Sequence, residues 1–199
     1  MRVENLFPVP VGMFELGRGI TDEETAYILG LAERGNVGNT SSVSTNVLDG
    51  HHMAGIREFI DASLQEFVAS VYRPMFDVTP YITQSWANYT KPGGFHHSHV
   101  HHNSFLSGVF YLQTAPSDKL HFVRTGYRGL KIATQDWNLY NAETWWFEAK
   151  QGSLILFPSA QEHLVRNTES DITRVSIAFN TFLRGQLGHE QELNYLELP

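Results

Sequence analysis

The strongest constraint on the fold comes from the second part of the chain, which reads as a series of short β-strands after residue 78. Seven segments are rich in β-branched and aromatic residues, and clusters of Gly, Pro, Asn and Asp separate them. These segments are YITQSWANY, FLSGVFYLQ, LHFVR, TWWFEA, SLILFP, EHLVRN and RVSIAFNTF. Many short strands without alternating helices are typical of an antiparallel sandwich or barrel.

The first part of the chain predicts two helices. In TDEETAYILGLAERG, Thr21 is the expected N-cap, Glu24 completes a capping box, and Gly35 is the expected end. Residues 55–72 carry an apolar stripe at helical spacing that ends at Pro74. The Ser/Thr/Asn-rich stretch between these helices is expected to be a loop, and both helices are expected to pack outside the strands.

Composition limits the class of protein. The chain has 199 residues, of which 42% are hydrophobic and 18% charged, so we expect one folded domain with a helical flank (1–77), a strand-rich core (78–184) and a C-terminal tail (185–199). A net charge of -7 argues against nucleic acid as a partner. The sequence has no cysteine, no signal-peptide pattern and no apolar run that could cross a membrane, so a cytoplasmic protein is expected. The oligomeric state is left open.

Five of the ten histidines lie in the segment GGFHHSHVHHNSF. Side chains alternate along an extended strand, so His97, His99 and His101 would share one face, while His96 and His102 would share the other. A His-x-His pair can present two imidazoles to one metal ion, although histidine-rich surface loops are also common. We expect His96, His97 and His102 to face solvent or substrate rather than a metal.

A second group of candidate residues lies downstream, in FPSAQEHLVRNTESDITRVSIAFN. His163 opens one strand, and Arg174 and Ser176 would point inward from the last one. An imidazole pair, a distant histidine and an arginine are the parts of a non-haem Fe(II) site that uses a dicarboxylate cosubstrate. Arg174 lies in an apolar strand and needs an anionic partner, either an internal carboxylate or, as we favour, the cosubstrate.

These segments resemble the 2-oxoglutarate/Fe(II)-dependent oxygenases of the prolyl-hydroxylase type. A bacterial and phage group of them shows the patterns H-x-H-P-N-S-x-x-S-G-V-Y-Y and F-P-S…H-x-V…R-x-S-x-x-F-N, and this chain reads HVHHNSFLSGVFYL and FPSAQEHLVRNTESDITRVSIAFN. The likeness spans roughly residues 84–182. It implies a mainly β fold, a double-stranded β-helix (jelly roll) with flanking N-terminal α-helices, and Fe(II) and 2-oxoglutarate as cofactors.

The resemblance also implies roles for individual residues. It places metal ligands at His99 and His163, the carboxylate-binding arginine at Arg174, and the serine of R-x-S at Ser176. Tyr89, ten residues before His99, matches a cosubstrate-binding tyrosine of the family, although a strand aromatic in the core would look the same.

His101 is the departure from the common pattern, because most of the superfamily has an Asp or Glu ligand at this position. The narrower group carries a histidine there. Three neutral imidazoles would leave the site about one charge more positive, which favours binding of a dianion. Ligation by His101 is favoured, but a water ligand in its place stays open.

The expected activity is hydroxylation of a small molecule or a protein side chain with dioxygen. Two alternatives remain: a cupin-like three-histidine dioxygenase that does not use 2-oxoglutarate, and a non-catalytic metal-binding jelly roll. Tyr89 and Arg174 at the family's spacing favour the 2-oxoglutarate-dependent oxygenase over the cupin-like dioxygenase, whose chemistry has no need of them. Part of the loop around Trp137 and Tyr140 is expected to border the substrate entrance, and Arg124 and Arg128 are expected to be surface charges.

Overall fold

The computed structural model describes residues 1–126 and 130–199, in which twelve strands form two antiparallel sheets. The strands are β1 (Gly12–Glu15), β2 (Glu33–Gly35), β3 (Thr40–Ser42), β4 (Val78–Thr90), β5 (His96–His99), β6 (Leu106–Gln113), β7 (Lys119–Val123), β8 (Thr144–Glu148), β9 (Ser153–Pro158), β10 (His163–Val165), β11 (Arg174–Leu187) and β12 (Leu196–Leu198). The major sheet has the order β1-β9-β6-β11-β4-β3-β2, with β12 pairing β11, and the minor sheet has the order β5-β10-β7-β8.

The two sheets pack face to face around a small apolar core. It includes Tyr111, Leu120, Phe122, Ile155 and Phe157, all of which are buried. Facing antiparallel sheets with this strand order form a jelly roll, which confirms the fold class predicted from the sequence. The division at residues 77 and 184 stays a prediction. No helix in the described parts of the chain is long and apolar enough to cross a membrane.

Two α-helices cover the outer face of the major sheet. Helix α1 (Asp22–Leu29) begins at the predicted capping box, and helix α2 (Ala54–Phe67) continues as a π-helical turn, Val68–Tyr72. The apolar stripe of α2 packs on the sheet, where the Phe59 ring lies 6.1 Å from the Phe110 ring. The predicted second helix and the outside position of both helices are therefore confirmed.

The segment between the helices differs from the prediction. Helix α1 ends before Gly30 rather than at Gly35, so β2 occupies the end of the predicted helix, and the expected loop contains β3. The two strands form a hairpin that extends the major sheet beyond β4. Neither strand shows an apolar pattern, because their sequences are ERG and TSS, so periodicity could not reveal them.

Alternation along β11 decides which side chains reach the space between the sheets. Val175, Ile177 and Phe179 belong to the core beneath the helices, while Arg174 and Ser176 lie on the opposite face. Ala178 and Asn180 follow on that same face. A bulge after Asn180 then shifts the register of the pairing with β4.

Candidate metal and cosubstrate site

A pocket of about 260 Å³ opens between the two sheets. Its wall on the major sheet comes from β4, β6, β9 and β11, and its wall on the minor sheet comes from β5, β7 and β10. The polar side chains that line it are those of Asn36, Asn39, Asn88, His96, His97, His99, His101, His163, Arg174, Ser176 and Asn180. Of the predicted site residues, only Tyr89 is absent from this pocket.

Three of the predicted histidines converge in the pocket. His99 at the end of β5 and His163 at the start of β10 are direct partners across the minor sheet. His101 lies two residues beyond β5, where its backbone N–H donates to the Ser159 carbonyl at 2.9 Å. Each of the three imidazoles offers a nitrogen, and these nitrogens all lie within 4.8 Å of one another. That spacing brings them close enough to share one metal ion.

Hydrogen bonds set the tautomers of the three rings. In each ring, Nδ1 lies near a carbonyl oxygen. The distances are 2.7 Å from His99 to the His97 carbonyl, 2.5 Å from His101 to Asn180 Oδ1, and 3.0 Å from His163 to the Gln161 carbonyl. A carbonyl oxygen only accepts, so Nδ1 carries the proton and Nε2 presents its lone pair. Among the described residues, Nε2 of His101 is buried and has no hydrogen-bond partner.

Burial keeps the three imidazoles in the form that binds a metal. Desolvation lowers the pKa of His163 to about 3 and that of His101 to about 4, and it also lowers the pKa of His99. Neutral rings with free Nε2 atoms are the donor set that Fe(II), Co(II) or Zn(II) accepts. The residues present therefore fit a mononuclear metal ion.

Two residues that the sequence analysis missed hold His101. The Trp86 ring stacks on His101 with 5.7 Å between centroids and 23° between planes, and Asn180 fixes Nδ1. Asn180 Oδ1 also accepts from Ser107 Oγ at 3.1 Å, and that hydroxyl pairs with Ser159 Oγ at 2.8 Å. The signal for Asn180 was available, because it ends the motif R-x-S-x-x-F-N on the same strand face as Arg174 and Ser176.

Arg174 is a buried cation without an anionic partner. Its side chain is 1% exposed, and within residues 1–126 and 130–199 its guanidinium takes part in no ion pair with a carboxylate. It donates from Nη1 to the Lys119 carbonyl at 3.3 Å, whereas its Nε is buried without a partner. A buried charge in this state is costly, so the site is built to receive an anion.

Further donors surround Arg174. Tyr111, which the sequence analysis missed, places its ring 5.1 Å from the guanidinium carbon. Its hydroxyl is buried and has no partner in the described parts of the chain, and burial raises its pKa, which keeps the proton in place. Ser176 lies on the same face of β11 as Arg174 and is 1% exposed. Guanidinium and hydroxyl donors that form no ion pair with a carboxylate in the described residues are complementary to a carboxylate ligand.

The structure corrects the assignment of Tyr89. This residue points to the other face of β4, into the core beneath the helices, and its hydroxyl donates to the Ile28 carbonyl at 2.5 Å. Its neighbours Asn88 and Trp86 line the pocket instead. Strand alternation explains the error, because a residue one position away faces the opposite side. Tyr89 is therefore a core aromatic, the alternative that the sequence left open.

The remaining histidines of the segment lie at different depths. His97 is exposed at the pocket edge, and His102 is exposed in the turn after the site. His96 is half-buried and lines the pocket, with its Nε2 2.8 Å from Thr90 Oγ1. None of these three belongs to the cluster of ligand nitrogens found among the described residues.

The aromatic loop does not border this pocket. Trp137 and Tyr140 are exposed and line a separate cavity, together with Arg124. Arg128 lies outside the described residues. The expected role of this loop at the entrance of the site therefore has no support in the part of it that the structure describes.

Comparison with known proteins supports the resemblance inferred from the sequence. Residues 84–180 match the model of a family described as "Putative 2OG-Fe(II) oxygenase". No curated protein sequence matches the chain.

Several solved structures share the fold. An oxidoreductase of the 2OG-Fe(II) oxygenase family from Burkholderia pseudomallei has a TM-score of 0.56 and 16% identity over 79% of this chain and 74% of that chain. HygX from Streptomyces hygroscopicus, solved with nickel, 2-oxoglutarate and hygromycin B, has a TM-score of 0.59 and 11% identity over 87% and 82%. A prolyl-4-hydroxylase from Pseudomonas putida has a TM-score of 0.54 and 13% identity over 87% and 94%. At these identities, the likeness shows the fold alone.

The matched segment contains every polar group of the site described above except those of the β2–β3 hairpin. It runs from β4 to Asn180 and so includes the three converging histidines and Arg174. The family's description names Fe(II) and 2-oxoglutarate, the same pair of cofactors that the sequence predicts. Over residues 84–180, just under half of its length, the chain is therefore similar to the family of putative 2OG-Fe(II) oxygenases.

Proposed function

We propose that this protein is a mononuclear Fe(II), 2-oxoglutarate-dependent oxygenase that hydroxylates its substrate. His99, His101 and His163 would hold the iron through Nε2. The observation that carries the proposal is Arg174, a buried and unpaired cation in the same pocket as three neutral imidazoles. A metal-binding jelly roll without a cosubstrate has no use for such a group, which is expensive to bury alone.

The cofactors, when bound, supply the oxidation: dioxygen and 2-oxoglutarate are converted to succinate and carbon dioxide, and one oxygen atom passes to the substrate. The protein binds and orients the reactants. Arg174, Tyr111 and Ser176 would receive the far carboxylate of 2-oxoglutarate as hydrogen-bond donors. Asn180 and Trp86 hold the His101 ring so that its lone pair keeps one direction. Val109, Leu120 and Phe157 form an apolar part of the pocket wall, which excludes water from the surface that they cover.

The all-histidine donor set has an electrostatic consequence. With three neutral imidazoles, the iron keeps its full double charge, whereas an Asp or Glu ligand would cancel about half of it. Arg174 adds another positive charge in the same pocket. The site would therefore attract the 2-oxoglutarate dianion strongly, and a monoanionic 2-oxo acid less.

The substrate of this reaction is proposed only as a class. HygX was solved with hygromycin B, and a Trichoplax adhaerens prolyl hydroxylase of the same fold was solved with a peptide fragment. A small molecule or a protein side chain would suit the pocket, whose lining includes the neutral amides of Asn36 and Asn39. The net charge of -7 disfavours nucleic acid, and a cytoplasmic location stays a prediction.

Turnover of the cosubstrate tests this proposal against its alternatives. Purified protein reconstituted with Fe(II) should convert 2-oxoglutarate to succinate slowly in air, even without substrate, and metal-free protein should not. A His163→Ala variant, which removes one proposed ligand, is the matched control and should form no succinate. Iron-loaded protein that forms no succinate would favour the cupin-like dioxygenase or a non-catalytic metal site.

A further inference from the structure

His96 stands out among the pocket histidines because it lies on the side of Arg174. It opens β5, and its backbone pairs with that of Val165. Its ring reaches Thr90, the last residue of β4, which is the direct strand partner of Arg174. His96 and Arg174 both line the pocket. One side-chain hydrogen bond and one strand pairing therefore connect the two residues.

The hydrogen bond between Thr90 and His96 determines which nitrogen of His96 carries a proton. Thr90 is fully buried, and its hydroxyl has no other hydrogen-bond partner among residues 1–126 and 130–199. A buried hydroxyl hydrogen without an acceptor is costly, so Thr90 Oγ1 donates to Nε2 of His96. The proton of the neutral ring then lies on Nδ1. In the described residues, Nδ1 is not among the buried unpartnered atoms, so it borders open space, and His96 is one of the residues that line the pocket.

His96 adds a hydrogen-bond donor to the part of the pocket that Arg174 lines. Arg174 lines the pocket and has an unpaired Nε donor, and the unpaired Tyr111 O–H belongs to a ring 5.1 Å from its guanidinium carbon. His96 Nδ1–H adds a third type of donor from the opposite sheet. In the described residues, no carboxylate forms an ion pair with Arg174. Donors on both sheets would contact a carboxylate from two sides.

We propose that His96 helps to position the cosubstrate: its Nδ1–H donates to the far carboxylate of 2-oxoglutarate from the minor sheet. Arg174 binds the same carboxylate from the major sheet. Thr90 holds the imidazole in the required tautomer. This inference rests on the proposed function, since it assigns one more residue to the same cosubstrate. It separates His96 from His99, His101 and His163, whose free nitrogens face the metal position instead.

The test measures the affinity of the Fe(II) protein for two 2-oxo acids in the absence of oxygen. Binding is observed through the charge-transfer absorption of the chelated ligand. One ligand is 2-oxoglutarate, and the other is 2-oxobutyrate, which has the same chelating end but no far carboxylate. His96→Phe keeps an aromatic ring and removes the donor, so its affinity for 2-oxoglutarate should fall about tenfold or more. Its affinity for 2-oxobutyrate and its iron content should equal those of the wild type.

Three further variants decide the interpretation. His96→Gln, which can still donate, should recover part of the lost affinity, and Thr90→Val, which frees the other tautomer, should lose affinity in the same selective way. His102→Phe changes an exposed histidine of the same segment and should change neither affinity. Equal weakening of both ligands in His96→Phe, or no weakening, overturns the proposal. If wild-type protein gives no absorption band with either ligand, the proposed function itself fails, which is a different result.

Discussion

Replacing Asn180 tests whether the support of His101 matters for the metal. Two buried donors converge on Asn180 Oδ1, namely His101 Nδ1 at 2.5 Å and Ser107 Oγ at 3.1 Å. Asn180→Ala removes the acceptor, so the ring loses its preference for the tautomer that leaves Nε2 free. Removing such a partner of a ligating histidine typically lowers metal affinity by about 10–100-fold. That factor corresponds to roughly 1.4–2.7 kcal/mol of binding free energy.

Competition with a chromophoric chelator, under anaerobic conditions, would measure the Fe(II) affinity of this variant. Asn180→Asp keeps an acceptor at the same place and should bind iron at least as tightly as the wild type. Gln84→Ala is the control for disturbance of the strand, because Gln84 pairs with Asn180 in register but is exposed. Unchanged iron affinity in Asn180→Ala would refute the reasoning, and His101 would then not depend on this hydrogen bond.

Three other substitutions separate the roles of the site residues. His99→Ala and His163→Ala should each abolish stable Fe(II) binding, measured as iron content after desalting, because each removes one of three ligands. His101→Asp should retain iron, since it restores the commoner carboxylate ligand; if it and His101→Ala both leave the iron affinity unchanged, His101 is not a ligand. Tyr89→Phe should lower the free energy of unfolding in urea by about 1 kcal/mol, because the Ile28 carbonyl loses the Tyr89 hydroxyl and keeps only the Leu31 N–H at 3.3 Å, while 2-oxoglutarate affinity stays the same. A selective loss of 2-oxoglutarate affinity in that variant would return Tyr89 to the site.

Much of the fold could be predicted because strand periodicity and turn residues are local signals. The alternation along RVSIAFN places Arg174 and Ser176 opposite Val175 and Ile177, as the structure has it. The β2–β3 hairpin could not be predicted in this way, since its strands have the sequences ERG and TSS and carry no apolar side chain.

The error at Tyr89 has a different origin. The spacing of ten residues between Tyr89 and His99 indicated a role in the site, whereas the alternation of β4 indicated the core. In SWANYT, Trp86, Asn88 and Thr90 alternate with Ala87 and Tyr89, and the pattern already put Tyr89 on the apolar side. The hydrogen bonds of His96 and His101 were beyond sequence reasoning, because they join residues whose separation along the chain carries no spacing rule.

The central claim is that Arg174 binds the far carboxylate of a cosubstrate held at a three-histidine iron. Anaerobic titration of the Fe(II) protein with 2-oxoglutarate tests it most directly, in the wild type and in Arg174→Met. We expect a charge-transfer band in the wild type and an affinity lower by roughly 30-fold or more in the variant, because truncating one partner of a buried charged pair costs on the order of 2–5 kcal/mol. Iron content should be equal in both proteins. A wild type without the band at millimolar 2-oxoglutarate, or a variant with unchanged affinity, would contradict the account.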